Sequence, residues 1–445
     1  MKAKIGILSL GCARNLVDSE VMLGYLKKAG FGISDEVAEA DVAIVNTCSF
    51  IREAEEESID AILNLGRLKK EGKIEAIIVC GCLAQRYKDK LLPELKEVDV
   101  FVGVGSIDKI AAVVKNIGSE KSFGKFGPSD FLYTHTSPRI LLTPEHFAYV
   151  KISEGCNNRC SYCVIPDLRG RHRSRKMGSI LKETRHLFEE QGVSEINLIG
   201  QDTTLYGQDL HMRLGKAPEL IRKISRQAKG KWIRLLYAHP AHVSSELIDV
   251  IRDEPSVCKY IDLPIQHIND KILKRMNRRT SRRQILSLIE KIRKEIPGVF
   301  IRTTLMVGFP GETDKEFTEL LDFIREVKFE RLGLFKYSQE QGTRASNFAR
   351  QIPEKIKQAR YRQALSLQQD ICTKINQGFL GKELCLLIDE ETSSDKNIFL
   401  GRTEGDAPEV DGCVYVKSGK KLKAGDFVKV KITDTLEYDL AGEAL

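Results

Sequence analysis

The first 115 residues of the chain alternate short apolar runs with longer amphipathic segments. Short apolar runs between helical patterns are typical of a parallel β-sheet that is covered by helices on both faces. We therefore predict an amino-terminal parallel α/β domain over residues 1–115. Its strands are expected at Lys4–Leu10, Asp41–Asn46, Ala76–Cys80 and Val98–Val104, with helices such as Ser19–Lys28 and Glu53–Arg67 between them.

The same alternation returns in the middle of the chain. Residues 116–140 carry Gly, Ser and Pro turn signals and are predicted to be a linker. Six strand–helix units over residues 141–352 predict a partial (β/α)6 barrel, with its site at the carboxyl ends of the strands. The strands are expected at 147–152, 195–199, 232–237, 259–264, 299–307 and 331–337, and the helices at 177–191, 217–228, 244–252, 281–295 and 314–327.

The pattern changes again in the last part of the chain. A long polar helix is predicted over residues 353–376, and short apolar runs punctuated by Gly and Asp follow it. This pattern predicts a small all-β, OB-like barrel over residues 377–445, which adds a third domain to an α/β fold. Its strands are expected at Glu383–Ile388, Cys413–Lys417, Phe427–Ile432 and Tyr438–Leu440.

Composition places the chain among ordinary soluble proteins. It has 445 residues, of which 42% are hydrophobic and 30% charged. Because no apolar run is long enough to span a membrane and the start has no signal-peptide layout, we expect a cytoplasmic protein with no membrane partner. Eleven cysteines without an export signal indicate reduced thiols and metal ligation rather than disulfides. The net charge of +8 is compatible with a nucleic-acid or ribosomal partner.

Three cysteines lie in one loop directly after a predicted strand. Cys156, Cys160 and Cys163 are separated by three and two residues, and no fourth cysteine follows nearby. A structural zinc site takes four ligands, as does a ferredoxin cluster, so a zinc knuckle is the less favoured interpretation. Three thiolates can hold three irons of a cubane and leave the fourth open. An open iron can chelate the amino and carboxylate groups of methionine, and hence S-adenosylmethionine.

The motif Cys-x3-Cys-x2-Cys resembles the signature of the radical S-adenosylmethionine (radical SAM) enzymes. The resemblance implies a 4Fe–4S cluster on these cysteines and places Tyr162 near the adenine of the cofactor. In the turn 200–204, Gly200 and Gln201 resemble the superfamily turn that contacts the methionine moiety. In the turn 308–312, Gly308 and Glu312 resemble the turn that lines the cofactor.

A second group of cysteines follows the strands of the first domain. Cys12 follows the first strand and Cys48 the second, while Cys80 and Cys82 close the third. Because the carboxyl ends of parallel strands meet at one edge of a sheet, three of these thiols should converge there. The alternative is ordinary buried cysteines, which are common in cores. Strand alternation points Cys80 into the core, whereas Cys82 is expected in the loop after Gly81, so Cys82 is chosen as the third ligand and Cys80 as a packing residue.

The segments around these cysteines resemble the methylthiotransferases, whose amino-terminal domain carries a second 4Fe–4S cluster that supplies or holds the inserted sulfur. Three segments resemble the branch that adds a methylthio group to the β-carbon of an aspartate in ribosomal small-subunit protein twelve. They are 10–22, 200–207 and 401–412. The resemblance covers essentially the whole chain and implies no particular catalytic acid or base.

The carboxyl-terminal domain resembles the TRAM domain, which often binds transfer RNA. Residues 376–445 carry nine Lys or Arg against 14 Asp or Glu, a net charge of −5, so the rest of the chain carries +13. Phosphate binding depends on Lys and Arg. The acidic domain therefore favours a basic protein partner, protein twelve or the ribosomal subunit, although RNA contact stays open. The basic run Arg169–Lys176 is either a solvated face or a contact to a substrate or cofactor carboxylate.

Two other functions stay open at this point. One is a transfer-RNA adenosine methylthiotransferase with the same mechanism. The other, from a different class, is an RNA-binding module whose clusters are only structural. The enzyme interpretation also implies an electron donor such as flavodoxin or ferredoxin.

Overall fold

The computed structural model describes residues 3–91, 93–118, 126, 130–210, 216–392 and 397–445. The first domain is an α/β layer structure, as predicted. Strands β1–β5 are Lys4–Ser9, Gly32–Ser34, Val42–Thr47, Ala76–Gly81 and Val100–Val102, and helices α1–α4 are Ala13–Lys28, Arg52–Lys70, Cys82–Tyr87 and Ile110–Lys115. The five strands pair in parallel in the order β2-β1-β3-β4-β5, so their carboxyl ends share one edge.

Two helices of the first domain begin earlier than the apolar pattern indicates. The predicted start of the first helix at Ser19 is wrong, because α1 begins at Ala13 with Cys12 as its N-cap residue. The short helix α3 begins at Cys82 itself, where a loop was expected. Both helices therefore start at a cysteine, so each thiol is held at the first turn of a helix and not in an open loop.

The middle domain is the predicted partial barrel. Its strands β6 and β9–β13 are Phe147–Lys151, Glu195–Ile199, Trp232–Leu235, Tyr260–Asp262, Phe300–Val307 and Arg331–Lys336. They form two parallel three-stranded sheets, in the orders β10-β9-β6 and β11-β12-β13. A short antiparallel ribbon, β7 (Ser153–Glu154) with β8 (Arg173–Ser174), encloses the three-cysteine loop.

Helices cover the outside of the barrel and close its core. Helices α5–α12 are Ile165–Arg169, Met177–Glu189, Ala217–Ala228, Ser245–Asp253, Asp270–Arg275, Arg282–Glu295, Asp314–Val327 and Glu354–Gln377. Helix α10 begins with a capping box between Ser281 and Gln284, which satisfies two backbone N–H groups at its start. Burial of each large apolar side chain contributes about 1.5–3 kcal/mol. Fully buried examples from strands and helices are Val150, Ile196, Leu198, Ile233, Ile301 and Leu320.

The described end of the predicted linker contacts both the first domain and the barrel. Residues 119–125 and 127–129 of the predicted linker lie outside the described part of the chain. Tyr133 is buried, and Arg139 forms ion pairs of 2.6 Å with Glu20 of α1 and 2.7 Å with Glu183 of α6. The end of the linker therefore clamps the first domain onto the barrel.

The carboxyl-terminal domain is a closed five-stranded barrel, as the fold prediction requires. Strands β14–β18 are Glu383–Glu391, Ile398–Thr403, Val414–Lys417, Phe427–Thr435 and Leu440–Ala444, in the closed order β14-β15-β16-β18-β17. The sequence prediction missed β15 and placed the last strand wrongly at Tyr438–Leu440. That strand begins at Leu440, because the N–H of Leu436 donates to the carbonyl of Asp439 and closes a turn before it.

The loop between β15 and β16 contacts the start of the barrel strands. Arg331 at the start of β13 donates to Asp406 at 2.8 Å, and Tyr260 at the start of β11 donates to Asp411 at 2.7 Å. The hydroxyl of Tyr149 donates to Glu409 at 2.8 Å. Part of the acidic surplus of this domain is thus neutralised by the barrel, so the charge argument against an RNA contact is weaker than the sequence suggested. In the described part of the chain, no helix has the length and apolar character that crossing a membrane requires.

Candidate active site between two groups of three cysteines

Three cysteines of the first domain lie at the shared edge of its sheet. Cys12 follows β1, Cys48 follows β3 and Cys82 follows β4. Gly11 has φ of +87°, and a Cβ atom added there would lie 2.6 Å from Cβ of Cys48, so only glycine allows the two loops to approach this closely. We call Cys12, Cys48 and Cys82 the auxiliary trio.

Two asparagines hold the loops of the auxiliary trio. The side-chain N–H of Asn15 donates to the carbonyls of Leu10 at 2.8 Å and Thr47 at 3.1 Å. The side-chain N–H of Asn46 donates back to the carbonyl of Asn15 at 2.8 Å. These bonds fix the ends of β1 and β3 against each other. They explain why an asparagine accompanies each cysteine in the motifs around Cys12 and Cys48.

Two arginines act on the thiols of the auxiliary trio. Burial alone would raise the pKa of Cys12, but Arg14 and Arg169 together lower it below its usual value. Burial raises the pKa of Cys48 to about 12, and the neighbouring thiols of Cys12 and Cys82 add to the rise. Burial also raises the pKa of Cys82, against the opposing effect of Arg169, whose Nη2 lies 3.6 Å from the sulfur. These effects agree with the close approach of the two loops, since a Cβ atom at Gly11 would lie 2.9 Å from Sγ of Cys48.

Cys80 points away from this edge. Its sulfur lies 3.8 Å from Sδ of Met22 and 3.5 Å from the carbonyl oxygen of Val45, inside the core between the sheet and α1. Burial raises its pKa well above the usual thiol value. Strand β4 ends at Gly81, which has φ of +95°, so Cys80 faces the core while Cys82 begins α3 at the sheet edge.

The other three cysteines, Cys156, Cys160 and Cys163, form one compact loop between β7 and β8, and we call them the barrel trio. The N–H of Asn158 lies 3.5 Å from the sulfur of Cys156, and the N–H of Ile165 lies 3.5 Å from that of Cys163. Burial raises the pKa of Cys156 to about 11 and that of Cys163 to about 12. A positively charged metal centre would offset this cost of forming thiolates.

The spacing of the thiols distinguishes between kinds of metal centre. With Zn–S bonds of about 2.3 Å, tetrahedral zinc ligands lie less than 4.8 Å apart. Among the described residues, no three thiols lie that close together. The donors are all sulfur and spaced too widely for a single zinc ion, so both trios fit a larger iron–sulfur core better.

The residues predicted to contact the cofactor lie around the barrel trio. Tyr162 packs edge-on against Phe309, with ring centroids 6.5 Å apart. Gly200 follows β9, and a Cβ atom there would lie 2.6 Å from Oγ of Ser153 beside the cysteine loop. The side chain of Gln201 donates to Glu154, while its own oxygen is buried and lacks a protein partner in the described chain. Such an unused acceptor fits an ammonium group of a cofactor.

Glu312 has a different environment from the one expected for a direct contact. Its carboxylate is fully buried, accepts from the N–H of Gly308 at 3.0 Å and pairs with Arg360 at 2.8 Å. His267 lies 3.5 Å away on the neighbouring strand end. The geometry indicates that Glu312 holds the turn at Gly308. A direct contact of this carboxylate to a cofactor is still only a prediction.

Sequence reasoning missed several residues at this rim. Arg278 lies with Nη1 3.8 Å from the sulfur of Cys160, although it belongs to a basic run, Arg275–Arg283, of the kind that usually forms a solvated face. Asp202 accepts from Asn158 of the cysteine loop at 2.8 Å and lies 2.8 Å from Nδ1 of His242, with His239 stacked on that imidazole. Two histidines close together after a strand, in the sequence His-Pro-Ala-His, could have indicated that these residues lie at the barrel rim.

Buried ion pairs join the two trios. Nη1 of Arg169, which follows the barrel trio on α5, lies 2.6 Å from Asp18 of α1 and 3.3 Å from Glu154. Lys151 contacts the same two carboxylates. On the other side, Nη1 of Arg14 donates to the carbonyl of Gly200 at 2.8 Å. The auxiliary trio and the barrel trio therefore line one region between the first domain and the barrel rim.

Comparison with known proteins gives the same division of the chain. Residues 4–103 match "Uncharacterized protein family UPF0004", residues 150–324 the radical SAM superfamily and residues 380–445 the TRAM domain. Members of the radical SAM superfamily use S-adenosylmethionine with a 4Fe–4S cluster. The chain is thus an enzyme of this class.

Two relatives match over nearly the full length of both chains. "Ribosomal protein uS12 methylthiotransferase RimO" of Desulforamulus reducens is 49% identical over 99% of this chain and 99% of its own. The protein of the same name from Geotalea uraniireducens is 48% identical over 100% of this chain and 98% of its own.

A solved structure supports the fold alone. The radical S-adenosylmethionine methyltransferase TsrM from Kitasatospora setae matches with a TM-score of 0.53 and 14% identity, over 76% of this chain and 75% of its own. Identity near half over the full length, together with the three matched segments, settles the family. The chain therefore belongs to the RimO family of radical S-adenosylmethionine methylthiotransferases.

Proposed function

We propose that this enzyme adds a methylthio group to the β-carbon of an aspartate in ribosomal protein uS12. The observation that supports the methylthio-transfer chemistry is the position of two cysteine trios along one region between the first domain and the barrel rim. The relatives that match over the full length are named for the same substrate protein. A transfer-RNA adenosine methylthiotransferase would need the same two trios, so the trios alone do not choose the substrate.

Each trio has a separate task in this proposal. The thiols of Cys156, Cys160 and Cys163 hold one 4Fe–4S cluster, and those of Cys12, Cys48 and Cys82 hold a second one. When bound, the clusters and S-adenosylmethionine would supply three things: the sulfur, the methyl group, and a radical that takes hydrogen from an unactivated carbon. The chain contributes the thiolates, the buried positions and the fixed distance between the two groups.

The surrounding residues position the cofactor in this proposal. The oxygen of Gln201 and the backbone at Gly200 hold its methionine end, and Tyr162 packs against its adenine. Glu312 acts indirectly, because its carboxylate holds the turn at Gly308. No described side chain is assigned as a general acid or base, since hydrogen abstraction by a radical requires none.

The domain division follows from these tasks. Residues 1–115 carry the auxiliary trio, 141–352 form the radical SAM barrel and 377–445 form the TRAM domain, with the linker 116–140 and the helix 353–376 between them. The TRAM domain would dock uS12 or the ribosomal subunit, with RNA contact as part of that docking. A flavodoxin or ferredoxin would deliver the electron.

The test uses the full chain with iron and sulfide reconstituted without oxygen. The enzyme is incubated with S-adenosylmethionine, a reductant and either purified uS12 or unmodified transfer RNA, and both are analysed by mass spectrometry. The proposal predicts a methylthio group on an aspartate of uS12 and none on adenosine. Modified adenosine would favour the transfer-RNA enzyme, and an absence of 5′-deoxyadenosine would favour an RNA-binding module.

A further inference from the structure

Three arginines lie against thiols of the two trios. Arg169 lies 3.6 Å from the sulfur of Cys82, Arg278 lies 3.8 Å from that of Cys160, and Arg14 is next to Cys12. Arg169 is neutralised by Asp18 and Glu154. Within the described chain, neither Arg14 nor Arg278 has a carboxylate within ion-pair distance. A guanidinium in a half-buried site whose closest anionic neighbour is a thiolate retains donors for another anion, so each is a candidate to bind one.

Arg14 lies between the two trios. Its Nη1 donates to the carbonyl of Gly200 at 2.8 Å, and its guanidinium carbon is 4.4 Å from the centre of the Tyr237 ring. Its positive charge favours lower pKa values of Cys12 and Cys48 in the auxiliary trio and of Cys163 in the barrel trio. The side chain is partly exposed and not sealed in a core. The edge of the guanidinium that does not face Cys12 or Gly200 can therefore meet a group that enters between the trios.

The chemistry of the proposed reaction fixes where a substrate anion must lie. The carbon that receives sulfur in aspartate is bonded directly to the side-chain carboxylate. A group that binds this carboxylate must therefore lie within a few ångströms of the sulfur that is inserted. Arg14 is two residues from Cys12, so its guanidinium lies close to the auxiliary trio. Arg278 is less suitable, because it contacts the barrel trio.

We propose that Arg14 binds the side-chain carboxylate of the target aspartate and so sets the enzyme's selectivity for an acidic side chain. This inference rests on the proposed function. A guanidinium stays charged at working pH and offers parallel N–H donors that match the two oxygens of a carboxylate. A neutral amide in place of the carboxylate would leave the guanidinium without its partner, and sites built on such a pair discriminate strongly.

The test compares Arg14→Gln, Arg14→Lys and the control Arg325→Gln, all in the full reconstituted enzyme. Arg325 lies on the outer helix α11 with 54% of its side chain exposed, so its variant removes one positive charge away from the site. For each variant, kcat and KM are measured with uS12, and binding is measured with uS12 and with uS12 whose target aspartate is replaced by asparagine. Iron content and 5′-deoxyadenosine formation without uS12 report on the clusters.

The expected result is a change in substrate recognition beyond any change in iron content or cofactor cleavage. Because Arg14 also faces Cys12 and Gly200, the variants are compared in preparations matched for iron content, in which Arg14→Gln should raise KM for uS12 by on the order of tenfold or more. Wild type should bind the aspartate form more tightly than the asparagine form, and Arg14→Gln should bind both equally. Arg14→Lys should lie between the two, because it keeps the charge and loses the paired donors.

Three results would overturn the inference. The first is a KM of Arg14→Gln within twofold of that of Arg325→Gln in preparations matched for iron. The second is a loss of uS12 modification by Arg14→Gln that its loss of iron fully accounts for, which would make Arg14 only a support of the auxiliary trio. The third is equal binding of both uS12 forms by wild type. Wild type that cleaves the cofactor but leaves uS12 unmodified would remove the proposed function, and the inference with it.

Discussion

At the scale of single residues, Cys80 and Cys82 show how two positions decide a ligand set. They are separated by one glycine, yet Cys80 packs on Met22 in the core and Cys82 stands at the sheet edge beside Arg169. The sequence predicted this difference, because Cys80 lies within the strand and faces the core, whereas Cys82 follows Gly81, where the strand ends.

The first prediction uses this pair. Cys82→Ala should lower the iron content from about eight to about four atoms per chain, because a 4Fe–4S cluster with only two thiolates is lost. Cys80→Ala removes a thiol of the same size two residues away and should keep about eight. Iron and sulfide are measured after anaerobic reconstitution. Equal iron in the two variants would contradict the assignment.

The second prediction concerns pH and His239. Burial, followed by the nearby Arg278, lowers the pKa of His239 to about 3. In the unfolded chain this imidazole takes a proton below about pH 6.5. Between about pH 6.5 and 3 the unfolded state therefore binds more protons than the folded state, and the free energy of unfolding decreases as the pH is lowered. Between pH 6.5 and 5 the loss should be about 2 kcal/mol.

Thermal unfolding of His239→Asn checks this account. Asparagine can still accept the N–H of Ala241, which lies 3.2 Å from Nδ1 of His239, but it cannot be protonated. The unfolding temperature of this variant should therefore fall less than that of wild type between pH 6.5 and 5. His186→Asn, at a side chain 50% exposed, serves as the control and should follow wild type. Parallel curves for all three chains would contradict the prediction.

The arginines of the site show where residue-level reasoning from sequence ends. Arg14 and Arg278 carry no pattern that separates them from surface arginines. Their roles arise from contacts to Gly200 and Cys160, which lie 186 and 118 positions away along the chain. Cysteine spacing and strand ends are local signals, whereas the neutralisation of a cation depends on which distant elements meet.

At the scale of elements, the loop between β15 and β16 joins the TRAM domain to the barrel. Asp406 accepts from Arg331 and also from Oγ1 of Thr403, at 2.6 Å, and it is buried. Removing one partner of a buried ion pair leaves an uncompensated charge, which costs more than the pair itself contributes.

The third prediction follows for this loop. Asp406→Asn should destabilise the docked TRAM domain by about 3 kcal/mol, because Arg331 loses its carboxylate. The matched control is Asp434→Asn on β17, at an exposed position. Thermal unfolding and limited proteolysis between the barrel and the TRAM domain measure the effect. A variant as stable as the control would show that this ion pair does not hold the domains together.

Strand β15 marks the limit of prediction for elements. Most parallel strands of the first two domains are largely apolar runs and were found from the sequence, but the short edge strand β2 (Gly32–Ser34) was missed. Strand β15 (Ile398–Thr403) contains Gly401 and is stabilised by pairing with β14 and β16, so its own pattern is weak. The start of α1 was also missed. Its first turn carries polar residues such as Asn15, which bonds to the ends of β1 and β3, in place of the apolar residues that mark a helix in sequence.

At the scale of the whole molecule, the domains meet where the chemistry requires it. The order of the three domains could be predicted from the hydrophobic pattern, and the proximity of the barrel trio from the spacing of its cysteines in one loop. The convergence of the auxiliary trio could be predicted because parallel strand ends share an edge. The contact between the first domain and the barrel could not be predicted. It depends on buried ion pairs such as Arg169 with Asp18 and Arg86 with Glu340, which join residues far apart in sequence.

The central claim is that the two trios hold separate clusters across one shared region. Electron paramagnetic resonance of the reduced enzyme tests it most directly, with two variants in which the cysteines of one or the other trio are alanine. The account predicts one reduced 4Fe–4S signal from each variant and a wild-type spectrum broadened or split by magnetic coupling, so that it differs from the sum of the two. A wild-type spectrum equal to that sum, or a single signal lost in only one variant, would contradict it.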